Sequence, residues 1–230
     1  MSLNISFSSN DKYESSKAQL LKPWDIYEVK FLGAEFTSIV GKKDPTATYD
    51  ILKFTFANED GQYVETLFCP KAGDEVRGKK TNKNGHEVDT PSNLDYFKFE
   101  IGQLLSTLCP KALEKLSASG AHTPQDIMKF VAGNLKNVVG TTVFIKLIGN
   151  NKNQPRFPYF LSIFESDPEP KVINNFISTT RSKLAFTDFE TQQKEKIEKA
   201  TPTEMATTAV TPTQGSEDAV DRSLDLDLDL

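Results

Sequence analysis

Aromatic and cationic side chains interleave along this chain at spacings that would bring them to a common surface. Tyr49 and Lys53 stand four residues apart, Tyr63 follows ten later, and Phe144 and Lys146 are separated by two. Arg77, Lys79, Lys80 and Lys83 crowd into seven residues, and Lys152 and Arg156 border a polar stretch. Rings offer flat faces for bases to stack on, while ammonium and guanidinium groups neutralise phosphates. That combination holds an unpaired nucleic-acid strand without reading its sequence, each stacked base contributing about 1–3 kcal/mol.

Catalytic constellations are missing from the text. It contains no phosphate-cradling GxxxxGK[ST] or GxGxxG run, no HExxH and no GxSxG. Cys69, His86, Cys109 and His122 are of zinc-ligand type, but no two of them have the close paired spacing of a tetrahedral site. Glu59 and Asp60 fall in a turn, where carboxylates serve the backbone. The expectation is therefore a binding protein with neither enzyme activity, cofactor nor metal.

The chain of 230 residues carries a net charge of −5, distributed unevenly. From residue 201 onward seven acids face the single base Arg222, so this threonine- and alanine-rich stretch is −6 and the preceding 200 residues are about neutral. It finishes with Leu224, Asp225, Leu226, Asp227, Leu228, Asp229 and Leu230, a strict alternation with no material for a core. No apolar run approaches the roughly 20 residues that span a bilayer, and no basic-then-apolar leader opens the chain, so no membrane association is expected. With only two cysteines, a reducing, cytoplasmic setting is expected.

These side chains need strands to position them, and the periodicity supplies such strands. Residues 26–40 alternate with a kink or bulge at Gly33, and 49–56 place Leu52, Phe54 and Phe56 on one face with Tyr49, Ile51, Lys53 and Thr55 on the other. Asn58, Glu59, Asp60 and Gly61 have hairpin-turn chemistry, and 63–69 form the third strand, with Tyr63 read as facing outward. Residues 70–91 read as a long, mobile, basic loop. The spacing then changes to three and four through Phe97, Ile101, Leu104, Leu105 and Leu108, predicting a helix that Cys109 and Pro110 interrupt. Thr123 and Pro124 open another helix. Strands over 141–148 and 157–164 follow, with Phe144 and Lys146 facing away from the core. Val172 to Ile177 is expected to pack back on the domain, and 192–199 is a charged helix candidate.

Three strands, a helical insertion and two closing strands follow the order of an oligonucleotide-binding (OB) barrel. The segment WDIYEVKFLGAEFTSIVGKKDPTATYDILKFTFANEDGQYVETLF, residues 24–68, together with the acidic end, resembles bacteriophage-type single-stranded DNA-binding proteins of large tailed phages of gut bacteria. The resemblance covers the layout of 24–165 and the character of 201–230. It implies an OB-fold-like, five-stranded antiparallel Greek-key barrel, mainly β with helices between strands 3 and 4 (α+β), and a disordered acidic C-terminal tail. It also implies that the tail folds over the basic groove in the absence of DNA, then recruits replication or recombination proteins. Asp225, Asp227 and Asp229 would then replace phosphates opposite Arg77, Lys79, Lys80 and Lys83, with the leucines on the other face of an extended segment. Tails of this family commonly end on an aromatic residue, whereas this one ends on Leu230, so docking through a terminal aromatic is not carried over.

The resulting expectation is a lead-in at 1–22, a single-stranded DNA-binding domain at 23–190 and a flexible tail at 191–230. Tyr49, Lys53, Tyr63, Arg77, Lys79, Lys80, Lys83, Phe144, Lys146, Lys152 and Arg156 would line the trough, and a homo-oligomer is compatible with it. The competing expectation is a virion-associated or replisome adaptor that uses a similar barrel as scaffold and the leucine–aspartate tail as a docking peptide.

Overall fold

The computed structural model describes residues 19–41, 44–81, 85–120, 122–150, 152–158 and 174–200. It is a mixed α+β structure built on one antiparallel sheet. Strand β1 (Asp25–Val40) is followed by β2 (Thr48–Asn58) and β3 (Gly61–Phe68). A small hairpin of β4 (Lys79–Thr81) and β5 (Glu87–Asp89) precedes α1 (Asn93–Leu108), α2 (Pro110–Ala118) and α3 (Pro124–Leu135). The chain then returns to the sheet as β6 (Thr142–Gly149), β7 (Pro155–Arg156) and β8 (Ile177–Ser178), and ends its described part in α4 (Asp188–Ala200).

The order across the main sheet is β3-β2-β1-β6-β7, with β8 also paired to β6. Strand β1 serves two partners because it bends. Asp25 to Lys30 pair with β6, Lys30 to Val40 pair with β2, and the register shifts between Phe31 and Gly33. Gly33 takes φ 151°, which side chains with a Cβ rarely adopt, so the expected bulge sits where glycine permits it. Among the described residues no ladder joins β3 to β7, and the sheet is open. Its ends nevertheless approach each other: the Phe157 ring, one residue beyond β7, lies 5.0 Å from that of Tyr63 in β3.

The core fills the concave side. Phe31, Leu52, Phe54, Phe56 and Leu67 pack with Val143, Ile145 and Leu147, and the helices add Ile101, Leu104, Leu105, Met128, Val131 and Leu135. Burying each such side chain contributes about 1.5–3 kcal/mol. Helix starts follow the local chemistry. Thr123 caps α3 by accepting from the Asp126 amide, and Pro124 takes its first turn; Pro110 likewise opens α2. Among the described residues no helix is long and apolar enough to cross a membrane.

Two expected boundaries fall differently. The lead-in is part of the fold by Leu21, which is buried and donates its amide to the Gln62 carbonyl at 3.0 Å. A tail starting at 191 would begin inside α4, which runs from Asp188 to Ala200. Of the expected fifth strand at 157–164 only 157 and 158 are described, and they lie just after β7 without strand structure; 159–173 lie outside the described residues.

Helix α1 carries a pH-sensitive start. The Ser92 hydroxyl accepts from the Asp95 amide and the Asp95 carboxylate accepts from the Ser92 amide, a reciprocal capping box. Arg77 adds a fork to the same carboxylate, Nε donating to Oδ2 at 2.7 Å and Nη2 to Oδ1 at 3.0 Å. The guanidinium bond first, and the Ser92 bonds after it, hold the Asp95 acid down at about 2. A depressed carboxylate contributes stability that is present above its unfolded value near 4 and lost as pH falls through its folded value. The expected result is a thermal midpoint that drops between pH 4 and 2 less steeply in Asp95→Asn than in the parent chain. Identical acid limbs in the two proteins would contradict this assignment.

Candidate nucleic-acid interface

The β2–β3 hairpin decides which rings face solvent. Its turn holds two residues, Glu59 and Asp60, and the Asn58 side-chain oxygen accepts from the amides of Asp60 at 2.9 Å and Gly61 at 3.2 Å. This closure fixes the register, setting Lys53 opposite Thr66 and Ile51 opposite Phe68. On the other side β1 places Ile39 opposite Tyr49 and Glu35 opposite Lys53. Tyr49, Ile51 and Lys53 therefore share the convex face with Val64, Thr66 and Phe68.

On that face a compact cluster forms. The Tyr49 and Phe68 rings meet edge to face at 6.2 Å, both half-buried, over Ile51, which is fully buried beneath its neighbours. Lys71 brings its ammonium to 4.0 Å from the Tyr49 ring centroid, a cation–π contact. The lysine is placed by its own loop: its amide donates to Asp74 Oδ2 at 2.6 Å, and Asp74 is tied to the start of α1 through the Asn93 side chain and the Leu94 amide, each at 2.9 Å. Lys53 is half-buried two residues along β2. Two rings and the Lys71 ammonium thus converge on one surface, with Lys53 four residues from Tyr49 on the same face of β2.

Tyr63 is not on this surface. It pairs with Phe56, a core residue, is 4 % exposed, and contacts the Phe157 ring. Its hydroxyl donates to Glu65 and accepts from the Phe157 amide at 3.0 Å, so the phenol binds the two ends of the sheet together. Lys146 is also interior, at 0 % exposure. It points away from the main core, as the alternation of β6 requires, but the C-terminal segment covers it. The ammonium donates to the Asn174 side chain, to the Ala185 carbonyl at 2.7 Å and to Glu190 Oε2 at 3.0 Å. Burial pushes its pKa down, partly offset by Glu190.

The other expected contacts lie elsewhere. Phe144 is half-buried beside Ser178 and opposite Glu28, whereas Tyr49 is opposite Ile39; the eleven intervening steps of β1 are roughly 35 Å of strand. Arg77 is engaged by Asp95, and Lys79 donates to Glu87 at 2.9 Å with Asp89 at 3.9 Å, so these cations carry acidic partners. The expected loop is in part the β4–β5 hairpin. Lys80 takes its place there by its backbone, while Lys83 and the tail residues Leu224 to Leu230 lie outside the described residues. Lys152 is exposed in the β6–β7 turn and Arg156 is half-buried in β7. A single trough through all eleven residues is not what the fold assembles.

Phe68 and Lys71 are the members that sequence reasoning passed over. The hairpin register was the available signal for Phe68; nothing local marks Lys71, whose placement depends on the Asp74 tie to α1.

A second part of the surface, along the start of β1, has the reverse polarity. A groove of about 730 Å³ along the first part of β1 is lined by Asp25, Glu28, Glu59 and Asp60 against Lys30 and Arg181. Arg181 is committed, donating to the Ile26 carbonyl at 2.7 Å with Asp25 3.8 Å away. A polyanion is disfavoured there. Burial, and after it Asp50, pushes the Cys69 thiol up, which leaves it a weak nucleophile. Among the described residues no three His, Cys, Asp or Glu side chains are grouped to hold a metal ion.

The β6–β7 turn is built with unusual investment. Trp24 adopts φ 66°, an outlier for a bulky side chain, and Asn153 adopts φ 54°. The Trp24 indole N–H donates to Asn153 Oδ1 at 2.8 Å across Gly149. A Cβ on that glycine would lie 2.6 Å from the Asn153 oxygen and 2.7 Å from the indole nitrogen, so only glycine leaves room. No protein-family model, curated protein or solved structure matches this chain.

Proposed function

We propose that the chain is a non-catalytic single-stranded DNA-binding protein that coats DNA during phage-type replication or recombination. The observation that carries this reading is the Tyr49–Phe68 ring pair with Lys71 at 4.0 Å from the Tyr49 centroid, on the face of β2 and β3 that also carries Lys53. Stacking rings beside cations are the means by which a single strand is held without base readout. The strand order β3-β2-β1-β6-β7 is compatible with a partly open OB barrel, whose strand 2–3 face is the one that takes oligonucleotides. The bound strand runs over the β2–β3 face and away from the acid-rich groove. Affinity for a labelled single strand should fall with salt, by roughly 0.7 log units per phosphate contact per log unit of salt. Salt-independent or undetectable binding in a polarisation titration would refute the reading.

The acidic end competes with DNA for the same cations in this account and recruits partner proteins when displaced. Removing residues 216–230 deletes six of the chain's acids with one base. The truncated chain is expected to bind single strands more tightly at low salt, the difference shrinking as salt screens the competition. Equal or weaker binding by the truncated chain would remove self-competition from the account.

A further inference from the structure

Strand β3 is the end of the sheet, and the hairpin register decides which backbone groups its outer edge presents. Asn58 pairs with Gly61 at the turn, and the Cys69 amide donates to the Asp50 carbonyl at 2.9 Å. Odd-numbered residues of β3 therefore bond to β2, and even-numbered ones turn their N–H and C=O outward. Gln62 bears out this parity, donating to the Gln19 carbonyl at 2.7 Å and accepting from the Leu21 amide at 3.0 Å. Beyond that short contact the edge continues as Val64, Thr66 and Phe68. Among the described residues these three make no backbone bond on the outer side, and the Thr66 amide has only the Glu65 side chain, with Oε1 at 3.2 Å. Edges left in solvent are ordinarily blunted by lysine, proline or a bulge. Between Gly61 and Phe68 there is neither lysine nor proline, the register with β2 runs without a shift, and Val64 is 39 % exposed. The one charge, Glu65, is buried and accepts from the Tyr63 hydroxyl.

The open stretch is complementary to itself. With two copies antiparallel about Thr66, Val64 falls opposite the second copy's Phe68, Thr66 opposite its counterpart, and Phe68 opposite Val64, each pair exchanging both backbone bonds. The side chains agree, since an aromatic ring against a β-branched residue and threonine against threonine are favourable cross-strand pairs. We infer that β3 is a self-pairing edge: a second copy of this chain adds its β3 about a two-fold axis at Thr66 and joins the two sheets into one. Self-complementarity is what a two-fold interface demands, and it selects a second copy over an unrelated extended peptide. The pairing sets both Tyr49–Phe68 clusters on one continuous face, the Phe68 of each copy beside the other's Val64, so each copy completes the other's site. A contact this short is weak alone and gains when two copies share one strand of DNA, where the second encounter becomes intramolecular. That gain rests on the single-strand reading above; the pairing itself does not.

Disulfide trapping of the full chain, without DNA, tests it. Thr66→Cys puts the two thiols on the axis, their Cα atoms about 5.5 Å apart and within the span of a disulfide. Val64→Cys separates its thiols by four steps of strand, about 13 Å, which a disulfide does not span. Under mild oxidation Thr66→Cys is expected to give about tenfold more dimer linked 66 to 66 than Val64→Cys gives linked 64 to 64. Peptide mass spectrometry assigns the linkage, since Cys69 and Cys109 are also free thiols. Adding Val64→Pro to Thr66→Cys removes an outward donor while leaving the β2 ladder intact, and should return trapping to the Val64→Cys level. Circular dichroism checks that each variant is folded; should Val64→Pro not fold, the comparison of 66 with 64 decides alone. Equal trapping at the two positions, or trapping that survives Val64→Pro in a folded chain, would overturn the pairing. With no DNA present, that result would leave the single-strand reading standing, and a failure of DNA binding would leave the pairing standing.

Discussion

A Tyr49→Ala, Phe68→Ala double variant is expected to bind single-stranded oligonucleotides at least about thirtyfold more weakly than the parent chain while remaining folded. Each stacked base contributes about 1–3 kcal/mol, so losing both rings removes at least about 2 kcal/mol, and every 1.4 kcal/mol is tenfold. The structural cost is smaller. Both rings are half-buried on the convex face, and their mutual edge contact is worth about 0.5–1.5 kcal/mol. Lys71→Ala should give a lesser loss and a shallower salt slope, since its ammonium touches the Tyr49 face and would be exchanged for phosphate. Polarisation titrations with circular dichroism as the folding control check both, and parent-like affinity in the double variant would contradict the interface.

Lys146→Met and Glu190→Gln are expected to destabilise the fold by about 3–5 kcal/mol each without a direct effect on DNA contact. Lys146 is fully enclosed, and its ammonium has three acceptors in Asn174, Ala185 and Glu190. Removing one member of a buried pair strands the other's charge, which is why breaking such a pair costs far more than a surface pair does. Glu190 also accepts from Asn174 Nδ2 at 2.6 Å and from the Thr187 amide at 2.8 Å, so the same carboxylate caps α4 and fastens it to β6. A combined Lys146→Met, Glu190→Leu variant should recover much of the loss, because two apolar groups leave no unpaired charge. Urea unfolding midpoints measure this. A near-neutral Lys146→Met variant with weakened DNA binding would instead return Lys146 to the interface.

Much of the scaffold was legible because its signals are local. The Gly33 bulge, the Asn58–Gly61 hairpin, the break at Cys109 and Pro110, and the Thr123 cap each depend on a few neighbouring residues, and each appears where expected. Tyr63 was also legible and was misread. A two-residue turn after Asn58 forces Tyr63 opposite Phe56, hence into the core, and the same register lifts Phe68 to the surface. Lys146 was a different case: its parity on β6 was right, but the cover comes from residues 28 to 44 positions later, which alternation within a strand cannot reveal. Arg77 and Lys79 were read as a basic patch because composition counts charges without pairing them; the capping carboxylate of α1 and the facing strand β5 take them up. The two-residue strands β7 and β8 are too short to carry a period.

The most direct test of the central claim is photocrosslinking of the intact chain to a single strand carrying iodouracil, with the attachment sites read by peptide mass spectrometry. Adducts are expected at Tyr49 and Phe68, competed away by unlabelled single strands and not by duplex. Adducts confined to the acid-lined groove along β1, which Tyr27 also lines, or a cross-link that duplex DNA removes as readily, would contradict the claim.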